Sequence, residues 1–271
     1  MSEKLVQLRN NIDQIDEQII ELLKKRLDFV HKVGEIKKQE PQKSFLKPKR
    51  EASMIIELVK KAEGYYHKET IYKIWRAIIT ASLNAENPLN IACYIEFEIE
   101  KNDSYLLTRE YFSDFVNIEI YTNINGLIEF AKKDPNNIIV IGDLAWWRYN
   151  YIIRTLNAKV FATMPFIRSR HKLNSQAYAF SNIEYEETGR DRTIIDIKFK
   201  LNRELSKPYL VDLFKEYQLD ITSMSFGGED ALLHLDGYID ANNPEILQKI
   251  LSFHSKDIID IIHMGNYAAP I

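Results

Sequence analysis

The sequence predicts a multidomain protein in which an all-α unit of three helices is followed by a small α/β segment and a C-terminal α+β unit. Apolar residues recur at heptad spacing near the N-terminus, which is typical of a long helix packed against other helices. After Asn87 the pattern changes to short β-branched runs separated by helical stretches. Toward the C-terminus, strand and helix patterns follow in the order βαββαβ. We therefore expect units at 1–88, 89–188 and 189–271.

The first predicted helix, residues 4–38, carries one charge in an apolar seam. Arg26 stands where the heptad pattern favours an aliphatic side chain. Because a lone buried charge is costly and its own helix offers no obvious partner, Arg26 indicates an anionic ligand. A snorkelling side chain or a shifted register would also explain it. The two seam rows are Leu5, Ile12, Ile19, Arg26 and Val33, and Leu8, Ile15, Leu22, Phe29 and Ile36.

Two more helices complete the predicted all-α unit. Residues 39–48 contain two prolines and end the first helix. The second helix is expected at about 50–63, and the third at about 68–86, where Pro88 ends it.

The remaining residues predict strands alternating with helices. In the middle segment this alternation is typical of a small α/β unit, with strands at 91–99, 136–143 and 158–166 and helices near 123–133 and 144–157. The C-terminal series predicts a ferredoxin-like unit. It comprises strand 193–201, helix 207–217, strands 219–226 and 231–239 around a Gly227-Gly228 turn, a helix starting near Pro244, and strand 257–265.

Composition excludes several classes of protein. The chain has 271 residues, of which 45% are hydrophobic, and no apolar run reaches the roughly 18–20 residues of a membrane helix. The charged N-terminus does not resemble a signal peptide. A single cysteine, Cys93, excludes intrachain disulfides, so we expect a cytoplasmic protein. Residues 1–87 carry a net charge of +4 and the rest −7, a modest basic excess that favours a small anion over nucleic acid.

Helical geometry groups the charged residues of the first helix. At 100° per residue, Arg26 and Lys37 lie within about 20° of each other, whereas Arg9 points about 100° away. Arg9 would share a pocket with Arg26 only if a second, antiparallel copy of the helix supplied it. The sequence therefore predicts an intertwined dimer with shared sites. Four further residues are expected to point inward from the second and third helices: Arg50, Glu51, Ser82 and Glu86.

Several motifs in register resemble the all-helical chorismate mutase family. They are L-R-x-x-I-D-x-I-D from Leu8, Arg26, V-G-x-x-K ending at Lys37, P-x-R-E from Pro48, and I-W-R-A-I-I-T-A-S-L-x-x-E ending at Glu86. The resemblance covers about 85 residues. It implies an isomerase that converts chorismate to prephenate by a Claisen rearrangement, on the route to phenylalanine and tyrosine. It also implies a domain-swapped homodimer and no metal or cofactor.

The resemblance assigns a role to each candidate residue. Arg26 and Arg9 of the partner subunit clamp the two substrate carboxylates, supported by Arg50 and Ser82. Lys37 donates to the ether oxygen. Glu51 accepts a hydrogen bond from the ring hydroxyl, and Glu86 is the second ether-oxygen donor, which is glutamine in some members. Lys47 departs from the family, which often has an acid there.

Single residues of this set have simpler explanations when taken alone. Lys37 and Arg9 would be solvated ion-pair formers, Ser82 a small packing residue, and Glu86 a surface acid at a helix end. The motif match favours the site. Because an ionised carboxylate only accepts hydrogen bonds, we hypothesise that Glu86 acts protonated and that activity falls as it ionises.

The C-terminal two thirds resemble, in their order, the prephenate dehydratase and ACT regions that often follow such mutase domains. M-G-N-Y (Met264 to Tyr267) resembles the end of a dehydratase ACT domain. The middle segment is too short for the two lobes of a dehydratase. The nearest string to the T-R-F catalytic motif of dehydratases is at residues 191–194, and it does not match that motif. We expect a reduced dehydratase-like region and an ACT-like unit for regulation or oligomerisation, with an aromatic amino acid as a possible effector. A bifunctional mutase–dehydratase and a non-catalytic amino-acid sensor are the alternatives.

Overall fold

The computed structural model describes residues 3–39, 44–96, 103–168, 175–200 and 206–271. Its N-terminal part consists of helices α1 (Glu3–Lys38), α2 (Pro48–Lys61) and α3 (Lys68–Glu86), which confirms the three predicted helices. Pro48 opens α2, where its fixed φ suits a first helical turn and its missing N–H breaks no helical hydrogen bond. The helix α3 ends immediately before Asn87-Pro88.

Only the C-terminal part of α1 packs within the chain. Val30 and Gly34 are its buried residues. A Cβ at Gly34 would lie 3.4 Å from the Cα of Glu86, so α1 and α3 approach closely at this position. The apolar seam predicted to be buried is mostly exposed in one chain, where eight of its residues are each 40% to 67% exposed. These exposed residues are Leu5, Leu8, Ile12, Ile15, Ile19, Leu22, Phe29 and Ile36.

The middle region contains the predicted strands and helices, and three elements that the sequence analysis missed. The missed elements are α4 (Asp103–Phe112), β2 (Ile118–Tyr121) and β5 (Ala177–Ser181). The helix predicted at 144–157 is divided at Arg148 into a 3-10 helix, which contains non-helical backbone at Ala145, and an α-helix that begins at Tyr149. The strand predicted at 91–99 ends at Tyr94, and residues 97–99 lie outside the described residues. The other elements are β1 (Ile91–Tyr94), α5 (Ile124–Lys133), β3 (Ile138–Gly142), the 3-10 helix (Asp143–Arg148), α6 (Tyr149–Leu156) and β4 (Lys159–Met164).

The C-terminal unit has the predicted βαββαβ order and is ferredoxin-like. Its elements are β6 (Asp191–Phe199), α7 (Lys207–Glu216), β7 (Ile221–Gly227), β8 (Asp230–Asp236), α8 (Glu245–Phe253) and β9 (Ile258–Ala268). The strands lie in the order β9-β6-β8-β7, and all three neighbouring pairs are antiparallel. Alternate residues of β6 and β8 pack against α7 and α8 to form the core of this unit.

The described strands form one continuous nine-stranded sheet, in the order β2-β1-β3-β5-β4-β9-β6-β8-β7. The join is a parallel contact between β4 and β9, where Val160 pairs with Gly265. Gly265 has a φ of +142°, and a Cβ there would lie 2.3 Å from the Val160 carbonyl oxygen. A residue with a side chain could not occupy this position without moving a strand.

A shared core connects the helical unit to this sheet. Ala52 and Ile55 of α2 and Tyr72 of α3 belong to the same buried cluster as Phe161 and Ala268. The helix α2 therefore lies between the sheet and the pocket described below. No helix in the described part of the chain is long and apolar enough to cross a membrane.

Candidate active site

An open pocket of about 720 Å³ lies where α1, α2 and α3 meet. The pocket combines cations, two acids and an apolar wall, which suits a small anion with a hydrocarbon body. Six of the seven predicted site residues line it: Arg26, Lys37, Arg50, Glu51, Ser82 and Glu86. The apolar wall includes Phe29, Val30, Val33, Met54, Ile79 and Leu83.

Arg26 reaches the pocket from α1 and is held by a neutral group. Its Nη1 donates a hydrogen bond to Ser82 Oγ, and Ser82 in turn donates to the Ile78 carbonyl at 2.7 Å. Burial and the Arg50 guanidinium lower the pKa of Arg26, while the Glu86 carboxylate opposes that shift. Within the described residues Arg26 forms no ion pair, so its charge remains available to an anion.

Lys37 and Glu86 form an ion pair in the same pocket. Lys37 Nζ lies 2.7 Å from Glu86 Oε2, and the two side chains are only 17% and 9% exposed. Lys37 Nζ also donates to the Phe45 carbonyl at 3.1 Å. Glu86 is thus not a frayed surface acid: its side chain is buried at the end of α3, where Gly34 leaves room for it.

Glu51 is buried and paired with a residue that the sequence analysis did not single out. Its Oε2 accepts a hydrogen bond from Arg76 Nη1 at 2.8 Å. Arg76 is 1% exposed, its Nε donates to the Tyr111 carbonyl at 2.9 Å, and its guanidinium lies 3.9 Å from the Tyr111 ring centroid. Burial lowers the pKa of Arg76, but Tyr111 and Glu51 outweigh it and raise that pKa overall.

The sequence carries a signal for Arg76. Arg76 follows Tyr72 by four positions and precedes Ile79 by three, so it lies on an apolar side of the helix and, like Arg26, is a charge that requires a partner. The two arginines differ in their surroundings, because Arg76 has an acid within reach and Arg26 has a hydroxyl.

In the described part of the chain two acids line the pocket, and both are paired with cations. Glu51 pairs with Arg76, and Glu86 pairs with Lys37. The guanidiniums of Arg26 and Arg50 have no carboxylate partner among the residues that the structure describes. The pocket therefore presents two arginines suited to bidentate binding of carboxylates.

Two further polar residues considered in the sequence, Arg9 and Lys47, do not point their charge into the pocket in the same way. Arg9 is exposed on α1 and is not among the residues that line the pocket of its own chain. Lys47 lines the pocket, and its Nζ lies 3.8 Å from Glu186 Oε1 at the surface. In the described ranges no group of three His, Cys, Asp or Glu residues is placed to hold a metal ion.

Residues 8–87 match the family model described as Chorismate mutase type II. The N-terminal helical unit is therefore a chorismate mutase type II domain, and the resemblance stated from the motifs is confirmed.

Among curated proteins, the chain is similar to the "Bifunctional chorismate mutase/prephenate dehydratase" of Aquifex aeolicus (strain VF5). The two are 35% identical over 94 residues, which is 33% of this chain and 26% of that protein. It is also 35% identical over 88 residues to the "T-protein" of Enterobacter agglomerans, covering 32% of this chain and 23% of the relative. The chain thus spans about a quarter of the length of the curated relatives that it matches.

Two solved structures show a distant likeness. One is the prephenate dehydratase from Streptococcus mutans, with a TM-score of 0.42, 12% identity, and coverage of 68% of this chain and 100% of that one. The other is titled "GqqA- a novel type of quorum quenching acylases", with a TM-score of 0.46, 12% identity, and coverage of 66% and 94%.

Proposed function

We propose that the protein is a chorismate mutase that rearranges chorismate to prephenate, in the biosynthesis of phenylalanine and tyrosine. The observation that carries this proposal is the convergence of Arg26, Lys37, Arg50, Ser82 and Glu86 on one pocket. These residues come from three separate helices inside the region that matches the mutase family.

The reaction requires the chain to bind and shape its substrate. A Claisen rearrangement is pericyclic, so it needs no nucleophile and no proton transfer. The enzyme gains most by holding the flexible dianion in its folded, chair-like conformer, which is a task of proximity and entropy. Arg26 and Arg50 are the groups we assign to the carboxylates, because their guanidiniums have no acid partner among the described residues.

Charge develops on the ether oxygen as the C–O bond breaks, and hydrogen-bond donors placed there stabilise the transition state. We assign Lys37 to this oxygen. Glu86 lies beside Lys37 and accepts its hydrogen bond, so Glu86 would have to carry a proton to donate to the same oxygen. We assign Glu51 to the ring hydroxyl, since its Oε2 is already bonded to Arg76 and its other oxygen can accept.

A second copy of the chain would complete the site. The exposed apolar rows of α1 require a partner surface, and the predicted antiparallel pairing would bring Arg9 of the partner subunit toward Arg26. We propose a homodimer formed along α1, with two pockets that each use residues of both chains.

We propose that residues 89–188 and 189–271 regulate the mutase or hold the oligomer together, with the second acting as an ACT-like unit. An aromatic amino acid is the effector class to test. The support is the ferredoxin-like order β9-β6-β8-β7, which leaves β7 as an exposed edge strand.

The test is a chorismate-consumption assay on the full chain, with prephenate measured as product. Arg26→Ala is the matched variant, because Arg26 makes one neutral hydrogen bond and its loss should leave the fold intact. We expect turnover by the wild type and a loss of about 10²–10³ in kcat/KM for the variant. Absence of turnover by the folded wild-type chain would overturn the proposal.

A further inference from the structure

The helix α2 forms a wall shared by the pocket and the sheet. Arg50, Glu51 and Met54 line the pocket on one side. On the other side, Ala52 and Ile55 line a small cavity together with Phe161, Phe166 and Ala268. A displacement of the sheet against α2 would therefore reach the pocket directly.

A buried chain of contacts follows the same route. Glu51 of α2 is bonded to Arg76 of α3, and Arg76 is bonded to the backbone of Tyr111, in the last turn of α4. The Arg76 and Glu51 side chains are only 2% and 11% exposed. This helix α4 lies outside residues 8–87, which match the mutase family.

The buried pair leaves Glu51 little freedom. Rotation of Glu51 away from Arg76 would leave a guanidinium and a carboxylate uncompensated in a low-dielectric environment, which is strongly unfavourable. Arg76 is in turn fixed by the Tyr111 carbonyl and by the Tyr111 ring beneath its guanidinium. A planar guanidinium that is stacked on a ring and hydrogen-bonded to two partners is more restricted than a lysine ammonium would be.

We infer that Arg76 is a positioning residue through which α4 sets the orientation of Glu51 in the substrate pocket. The inference rests on the proposed function and deepens it. The mutase site is then not autonomous: the region beyond residue 88 contributes to substrate binding, although none of the residues described there lines the pocket. A change at Tyr111 is transmitted to the ring-hydroxyl end of the substrate through one ion pair.

The experiment is a double-mutant cycle on the full chain, read as KM and kcat for chorismate. Arg76→Met is made in the wild type and in Glu51→Gln. Truncation of Arg76 alone leaves a buried acid unpaired, so we expect KM to rise about 10-fold with a smaller change in kcat. In Glu51→Gln the same truncation should change KM less than about 2-fold, because no carboxylate remains to be positioned.

Milder variants keep the test informative if Arg76→Met fails to fold. Tyr111→Leu removes the stacked ring but leaves the ion pair, and should raise KM about 2- to 3-fold. Tyr111→Phe keeps the ring and should match the wild type. Arg109→Gln is the matched control on the same helix, since Arg109 pairs with Asp114 at the surface. Urea unfolding of each variant separates substrate effects from loss of folded protein.

The outcomes separate the two proposals. The positioning role is wrong if Arg76→Met, or Tyr111→Leu, raises KM by the same factor in the wild type and in Glu51→Gln. Turnover of chorismate by the wild type would still uphold the proposed mutase activity. Failure of the folded wild type to consume chorismate would overturn the proposed function and this inference with it.

Discussion

Lys37 Nζ and Glu86 Oε2 lie 2.7 Å apart at the junction of α1 and α3, in the pocket that the motif match assigns to the ether oxygen. In the substrate-free chain Glu86 accepts a hydrogen bond from the residue expected to act beside it. The two side chains therefore cannot both donate to one substrate oxygen unless Glu86 gains a proton.

Replacement of Glu86 by glutamine tests this directly. The neutral amide of glutamine can donate to the ether oxygen, whereas an ionised carboxylate only accepts hydrogen bonds and repels the charge that develops there. Glu86→Gln should therefore keep or raise kcat/KM for chorismate. The measurement is kcat/KM for both proteins under the same conditions. A clear loss of kcat/KM in the folded Glu86→Gln protein would contradict the hypothesis.

If each pocket of a dimer uses Arg26 of one chain and Arg9 of the other, two inactive variants should complement each other. Arg9→Ala and Arg26→Ala should each be nearly inactive. A mixed dimer that contains one chain of each kind has one pocket without either mutation. After unfolding and refolding an equal mixture, random pairing should restore about a quarter of the wild-type activity. The matched control is Arg26→Ala mixed with itself, and an inactive mixture that contains folded mixed dimers would refute site sharing.

The contact between Gly34 and Glu86 predicts a size limit at position 34. A methyl group would meet Glu86 atoms at 3.4–3.6 Å, which is ordinary contact, and alanine favours a helix by about 1 kcal/mol over glycine. We expect Gly34→Ala to be stabilising or neutral, with its mutase activity retained. Gly34→Leu should push Glu86 away from Lys37 and lower kcat/KM. Urea unfolding and turnover of both variants check this, and equal activity in the two would exclude the close approach as a functional constraint.

Two buried histidines predict loss of stability in acid. Burial, with Arg192 adding to it, lowers the pKa of His234 to about 4, and burial, with Lys159 adding to it, lowers that of His263 to about 4. An unfolded histidine titrates near 6.5. Between these values the unfolded chain binds more protons, so this stability is complete above about pH 6.5 and is lost as the pH falls toward 4.

The variant His234→Gln should weaken this dependence. His234 Nδ1 is 2.9 Å from the Tyr267 hydroxyl, and glutamine can hydrogen-bond there without taking up a proton. We expect the free energy of unfolding to drop less between pH 7 and 5 than in the wild type, by up to about 2 kcal/mol. Asp196, whose pKa burial raises to about 6, acts in the opposite direction in both proteins. The exposed residue His67 supplies the control variant His67→Gln, and an unchanged pH dependence in His234→Gln would refute the assignment.

The parts of the fold that the sequence predicted are those with strong local patterns. The helices α1 to α3 have long apolar periodicity and proline boundaries, and β6 alternates between apolar and polar residues from Ile195 to Phe199. The strand β2 has only four residues and includes Glu119, while β5 is partly built from alanine, which has little β-propensity. Such elements are specified by neighbouring strands and not by their own sequence.

The candidate site followed the same division. Arg26 and Lys37 are 11 positions apart on one helix, and both line one pocket, as their helical angles predict. Arg76 and Tyr111 are 35 positions apart and meet only because α4 docks on α3. No local pattern encodes that contact. Similarly, the continuity of the sheet depends on Val160 meeting Gly265 across more than a hundred residues.

The position of β9 in the sheet has a consequence for how the chain folds during synthesis. This strand follows all the others in the sequence, yet it lies between β4 and β6. Until Ile258–Ala268 has left the ribosome, both of those strands present unpaired edges that are prone to aggregation. The three helices have emerged long before and can form from hydrogen bonds within each helix, whereas the sheet closes in a late step of high contact order. A chain interrupted before Ile258 would keep the helices but leave its sheet in two pieces.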